Sequence, residues 1–155
     1  MSTTYDYQWF TTQLNCLPKK KPYRIFRKGN NEWVSIISAD KWKKINFHFE
    51  VRWSNHKPIS ETTKLNIRIH LESQFISEEI DRKARAFFAK HGYAIKGNTF
   101  KDLPGEKLEK SVLPDFSSEE AAKRTIQEII DIFDSPAYQK CAELAEEFID
   151  GLEKE

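Results

Sequence analysis

INFHFEVRW at residues 45–53, answered by LNIRIHLE at residues 65–72, decides the fold. Both runs alternate without a break. Ile45, Phe47, Phe49, Val51 and Trp53 share one side of the first run, and Asn46, His48, Glu50 and Arg52 share the other. The second run sets Leu65, Ile67, Ile69 and Leu71 against Asn66, Arg68, His70 and Glu72. Side chains along a strand point to opposite faces with a period of two, so each run is a strand with an apolar and a polar face. A hairpin centred on Ile59 puts Glu50 opposite Arg68 and His48 opposite His70.

Working outward, residues 23–28 and 33–38 are rich in β-branched and aromatic types and flank Gly29-Asn30-Asn31, a hairpin signal. Asp40 to Lys44 turns the chain into the first alternating run, and a polar loop at 54–64 containing Pro58 joins the two. Four sequential strands on short loops predict an antiparallel meander. Before them, Tyr7, Phe10, Leu14 and Leu17 recur at helical spacing over residues 4–16, ended by Pro18.

After residue 76 the pattern changes to helices. Ser77 is placed to cap a helix with Glu78 and Glu79 in its first turn, a core face of Ile80, Ala84, Phe87 and Phe88, and Gly92 as terminator. Residues 93–95 and 108–113 read as two short strands around a Pro104-Gly105 turn. Ser117 and Glu120 fit a capping box before a helix burying Ala122, Ile126, Ile129, Ile130 and Phe133. Ser135-Pro136 opens a last helix striped by Tyr138, Cys141, Leu144, Ala145 and Phe148. Glu153 and Glu155 stand at the unfavourable end of that helix's dipole, which predicts fraying beyond Phe148. The expected fold is therefore α+β: one domain over 1–155, an antiparallel meander of four or more strands with its apolar face covered by C-terminal helices.

The 155 residues are enough to bury about two-thirds of the unfolded surface. No apolar run reaches the roughly 20 residues that cross a bilayer, and Met1 to Gln13 carries no secretory pattern. Cys16 and Cys141 are too few for a disulfide framework or a four-thiolate zinc site. A cytoplasmic chain with no membrane partner is the expectation. Net charge is +1, but residues 1–75 carry +7 and residues 76–155 carry −6. A basic, strand-rich half and an acidic, helix-rich half either attract a polyanion or simply intermix on one surface.

Three groups of residues bear on function. His48, Glu50, His70 and Glu72 gather on one sheet face, where two imidazoles and a carboxylate are the makings of a zinc or iron site. Their strand spacing resembles that of the two-histidine phosphoesterases, in which each strand histidine is followed two positions on by Ser or Thr. The resemblance implies proton shuttling by His48 and His70, but Glu50 and Glu72 replace the hydroxyls and would repel a phosphate. The preferred reading of this face is a solvated surface with cross-strand charge pairs, with no catalytic residue, metal or cofactor assigned. Lys19, Lys20, Lys21, Arg24, Arg27, Lys28, Lys41, Lys43 and Lys44, interleaved with Tyr23, Phe26, Trp33 and Trp42, form a basic and aromatic set suited to phosphates and unstacked bases. The last helix is acidic, as solvated helix faces often are. No dinucleotide, Walker, H-E-x-x-H or nucleophile-elbow motif occurs. The order of elements over 45–133, with Leu103-Pro104 as a local echo, loosely resembles an uncharacterised domain that follows restriction-endonuclease-like domains in some bacterial proteins. That resemblance carries no functional residue and implies an accessory role near nucleic acid.

The sequence thus predicts a non-enzymatic binding protein of inhibitor, immunity or adaptor type. It docks a protein partner through its polar sheet face and basic turn: Lys19, Lys20, Lys21, Arg24, His48, Glu50, Arg52, Arg68 and His70. A nucleic-acid binder using the basic half, and a metal-dependent or two-histidine phosphodiester enzyme, are the alternatives.

Overall fold

A computed structural model describes residues 5–28, 31–53 and 64–155. The Gly29-Asn30 part of the first turn and the loop around Pro58 lie outside these residues. Helix α1 (Tyr7–Cys16) is capped by Asp6, whose carboxylate accepts from Trp9 N at 2.9 Å. Strands β1 (Arg24–Lys28), β2 (Asn31–Ser38), β3 (Phe47–Arg52) and β4 (Leu65–Leu71) follow in a consecutive antiparallel meander. A 3₁₀ turn, Asp40–Lys44, joins β2 to β3, and another, Ser73–Phe75, leads from β4 to α2 (Glu78–Lys90). The short strands β5 (Ile95–Lys96), β6 (Thr99–Phe100) and β7 (Lys110–Val112) precede α3 (Glu119–Phe133) and α4 (Pro136–Glu153).

The β3–β4 register pairs His48 with His70, Glu50 with Arg68 and Arg52 with Asn66, as the alternation predicts. The second edge of β4 is shared. β6 pairs at His70 and β7 pairs along Leu65–Ile67. Sequence reading missed β6: the expected pair of strands around Pro104-Gly105 is instead a β5–β6 hairpin, with β7 on the other end of β4. Gly97 lies between β5 and β6 with φ of +62°, a conformation that suits a residue without Cβ.

Phe47, Phe49, Ile67 and Ile69 are fully enclosed beneath the helices. Phe49 sits 4.8 Å from Tyr138 and 5.7 Å from Phe133 between ring centroids, and Phe47 stacks on Phe88. Each such side chain contributes about 1.5–3 kcal/mol on leaving water. This layer fixes which face of the sheet is covered, and so which way His48 and Glu50 point.

Helix starts and stops follow local chemistry. Ser77 and Ser135 cap α2 and α4, accepting from Ile80 N and Tyr138 N. The expected capping box at Ser117 is displaced by one residue: Ser118 Oγ accepts from Ala121 N, while Ser117 donates through N and Oγ to Asp115 Oδ1. Helix α4 runs to Glu153, past Phe148, beyond which fraying is expected. Asp150 pairs with Lys41 and Glu153 with Lys44, so cations from the 3₁₀ turn offset the acidic helix end.

Candidate functional site

Positions of one parity on β3 and β4 share a face, and the register sets His48 and His70 side by side on it. Their ring centroids are 5.5 Å apart. Glu50 flanks the pair on β3, and Glu72 follows β4 on the other side. Asn46 extends the pairing by one more step, with Glu72 N donating to Asn46 O at 3.0 Å and Asn46 Nδ2 donating to Glu72 O at 3.3 Å.

The solvated face expected from sequence is corrected here. His48, Glu50, His70 and Glu72 are only 1, 0, 5 and 6 % exposed. No described helix lies on this side, but the sheet itself supplies apolar company. Ile36 on β2 stands opposite Glu50, and Val34 stands opposite Arg52. Both are buried. Strand β2 is apolar on alternate positions of this face as well as on the core face, so the polar stripe does not run across the whole sheet.

Within the cluster His70 is held from both ends. Its Nε2 is 3.2 Å from Glu50 Oε2 and 3.1 Å from Thr99 Oγ1, and its Nδ1 is 3.3 Å from Glu72 Oε1. His48 Nε2 lies 3.9 Å from the same Glu72 oxygen. Arg52 approaches Glu50 at 3.7 Å. Burying ionic groups is costly unless each has a counter-charge or hydrogen-bond partner, and the arrangement meets that demand by alternating imidazole with carboxylate. One ligand atom from each of the four residues can be chosen so that all lie within 4.8 Å of one another. Thr99 was not legible as a partner of His70, because a two-residue strand has no period to read.

The remaining predicted contact residues are dispersed. Lys19 Nζ donates to the carbonyls of Leu14 and Leu17, closing the end of α1. Lys20 N donates to Asp134 Oδ1 at 3.2 Å, leaving an exposed side chain, and Lys21 pairs with Glu146 at 3.4 Å. Arg24 pairs with Asp40 and Arg68 with Glu109. Lys41 and Lys44 meet α4, so several cations of the basic half face anions of the acidic half. Of the aromatic set, Tyr23 and Trp42 are core residues, while Phe26 is 43 % exposed. Arg68, Lys96, Thr99, Lys101 and Glu109 help line a groove of about 530 Å³ beside His70.

Cys141 offers no nucleophile. It is buried, and burial raises its thiol pKa to about 12 despite a hydrogen bond with Tyr93. Comparison with protein-family models, with curated proteins and with solved structures finds no match for this chain. No helix among the described residues is long and apolar enough to cross a membrane.

Proposed function

We propose that this chain is a non-enzymatic binding protein, of inhibitor, immunity or adaptor type, that docks an acidic macromolecular partner on the outer face of its sheet. One observation carries the reading. Arg24, Arg52, Arg68 and Lys96 project from the face that no described helix covers, with Phe26 among them, and Lys101 lines the groove beside Arg68 and Lys96. Asp40, Glu50 and Glu109 pair with Arg24, Arg52 and Arg68 along this strip. Cations at an interface rim raise the encounter rate and select against basic partners, with modest effect on the final affinity. Lys19 and Lys21 are engaged within the chain, so the weight of contact moves from that turn to the arginine strip. His48, Glu50 and His70 are too enclosed to touch a partner and support the strip from beneath. The same enclosure keeps both imidazoles from a phosphodiester, which disfavours the two-histidine enzyme.

Nucleic acid is the second reading, favoured by exposed Phe26 two residues from exposed Arg24, one ring for stacking beside one cation for phosphate. Charge reversal at Arg24, Lys96 and Lys101 tests both. Capture of a defined acidic protein from native lysate should fall with the reversed variant, while its circular dichroism stays that of the wild type. Undiminished capture rejects the surface. Binding of a single-stranded oligonucleotide whose log affinity falls linearly with log salt would transfer the strip to nucleic acid.

A further inference from the structure

We propose that the enclosed cluster under the arginine strip is a binding site for one divalent transition-metal ion, held by His48, His70 and Glu72, with Glu50 as the outer carboxylate beside the second ring nitrogen of His70. The register creates it. Two histidines face each other across β3 and β4, and a carboxylate stands two positions on from each along its chain, all on one face. A zinc-sized ion with bonds of about 2.0–2.1 Å in tetrahedral array needs donor atoms about 3.4 Å apart. The separations around the ion are 3.3 Å for His70 Nδ1 to Glu72 Oε1 and 3.9 Å for His48 Nε2 to the same oxygen, while His70 Nε2, turned away from the ion, is 3.2 Å from Glu50 Oε2. One donor atom from each residue of the cluster can be chosen within 4.8 Å of all the others, so side-chain rotations close the widest pair by up to about 1.4 Å to reach that spacing.

His70 gives one ring nitrogen to the ion. Its other nitrogen then donates to the remaining carboxylate, which fixes the tautomer and the ring plane, as metal-bound imidazoles generally require. Charge balance points the same way: two carboxylates and one divalent cation sum to zero in a site sealed from water, with both imidazoles neutral. Mixed nitrogen and oxygen donors without a thiolate suit zinc, iron(II), cobalt(II) or nickel(II) above calcium or magnesium, which favour oxygen alone. A groove lined by Thr99 runs beside the cluster, and the Thr99 hydroxyl touches His70 Nε2. Without metal, the competing arrangement is the hydrogen-bonded network of His70 with Glu50 and Glu72.

The test uses the full chain, stripped with chelator and desalted, then titrated with Zn²⁺ and Co²⁺. One equivalent should remain bound on desalting by elemental analysis, and Co²⁺ should develop the visible absorption of a nitrogen- and oxygen-ligated ion. His48→Gln and His70→Gln should lose more affinity than the about 10–100-fold expected for an outer carboxylate. Because a substituted cluster can misfold, the wild type supplies an independent reading by NMR. Zn²⁺ should shift the ring signals of His48 and His70 and leave those of His91 in place. Absence of saturable binding by folded wild type, binding indifferent to both histidine substitutions, or ring shifts confined to His91 would each overturn the site.

Discussion

Glu50 Oε2 lies 3.2 Å from His70 Nε2, and both side chains are shut away from solvent on the sheet face opposite the helices. Neither strand buries its charge alone. The contact exists because β3 and β4 run in a register that brings Glu50 and His70 onto adjacent diagonal positions. Removing one partner strands the other. Glu50→Ala, measured by urea unfolding with chelator present, should cost about 3–5 kcal/mol. His70→Ala should be similarly damaging, and the double variant should fall short of the sum by about 0.5–3 kcal/mol. Strict additivity would mean that the two side chains do not act as a unit.

How far the sequence foretold this can be judged at Glu50 itself. Alternation over 45–53 gave its face, and the symmetry about residue 59 gave its neighbours His48 and Arg68, because a period of two leaves no freedom once the apolar side is buried. What it did not reveal was enclosure. A polar position in an alternating run reads the same whether its face is open or covered, and Glu50 is fully buried. Val34, Ile36 and Ile37 make β2 apolar on both faces, so nothing in its pattern marks one side as wet. The α3 cap slipped for a different reason. Ser117-Ser118-Glu119-Glu120 offers two serines, and only Asp115, which engages Ser117, decides between them.

Asn46 carries the next prediction. It enters β3 with φ of +51°, the left-handed region, and pairs with Glu72 at the edge of the cluster. A side chain with Cβ and no local hydrogen bond is strained there by about 1–2 kcal/mol. Asn46→Ala should therefore destabilise by roughly that amount in urea unfolding, whereas Asn46→Gly should retain more of the wild-type stability because it relieves the backbone. Equal losses for the two variants would place the effect in the lost amide contact with Glu72 instead.

The 3₁₀ turn at Asp40–Lys44 separates two kinds of contact within two residues. Trp42 is fully buried, with ring centroids 5.0 Å from Phe47 and 5.2 Å from Phe49. Lys41 meets Asp150 at the surface. Trp42→Ala should cost about 3–5 kcal/mol, through lost transfer energy and the cavity left behind. Lys41→Ala should cost less than about 1 kcal/mol, and its effect should shrink further in salt. Comparable losses for both would give the ion pair as large a share as the indole in holding the turn.

The phenols and the buried thiol predict the alkaline behaviour. Burial raises Tyr23 from 10.0 to about 12, with the Gln139 hydrogen bond opposing it, and burial raises Cys141 from 9.0 to about 12. Tyr93 and Tyr138 move the same way, chiefly through burial. These groups are neutral when protonated, so the folded chain keeps its protons above pH 9 while the unfolded chain releases them. Fewer protons on the unfolded state make stability fall as pH rises. The contribution is fully present below about pH 9 and is lost progressively toward pH 12. Urea midpoints measured from pH 7 to 11 should hold level and then decline, and Cys141→Ser with Tyr23→Phe should soften the decline. Thiol labelling reads the same enclosure at neutral pH. Cys16, which is exposed, should react in the folded chain, and Cys141 should wait for unfolding. A single labelling rate for both, or a midpoint unchanged to pH 11, would place these groups in contact with water.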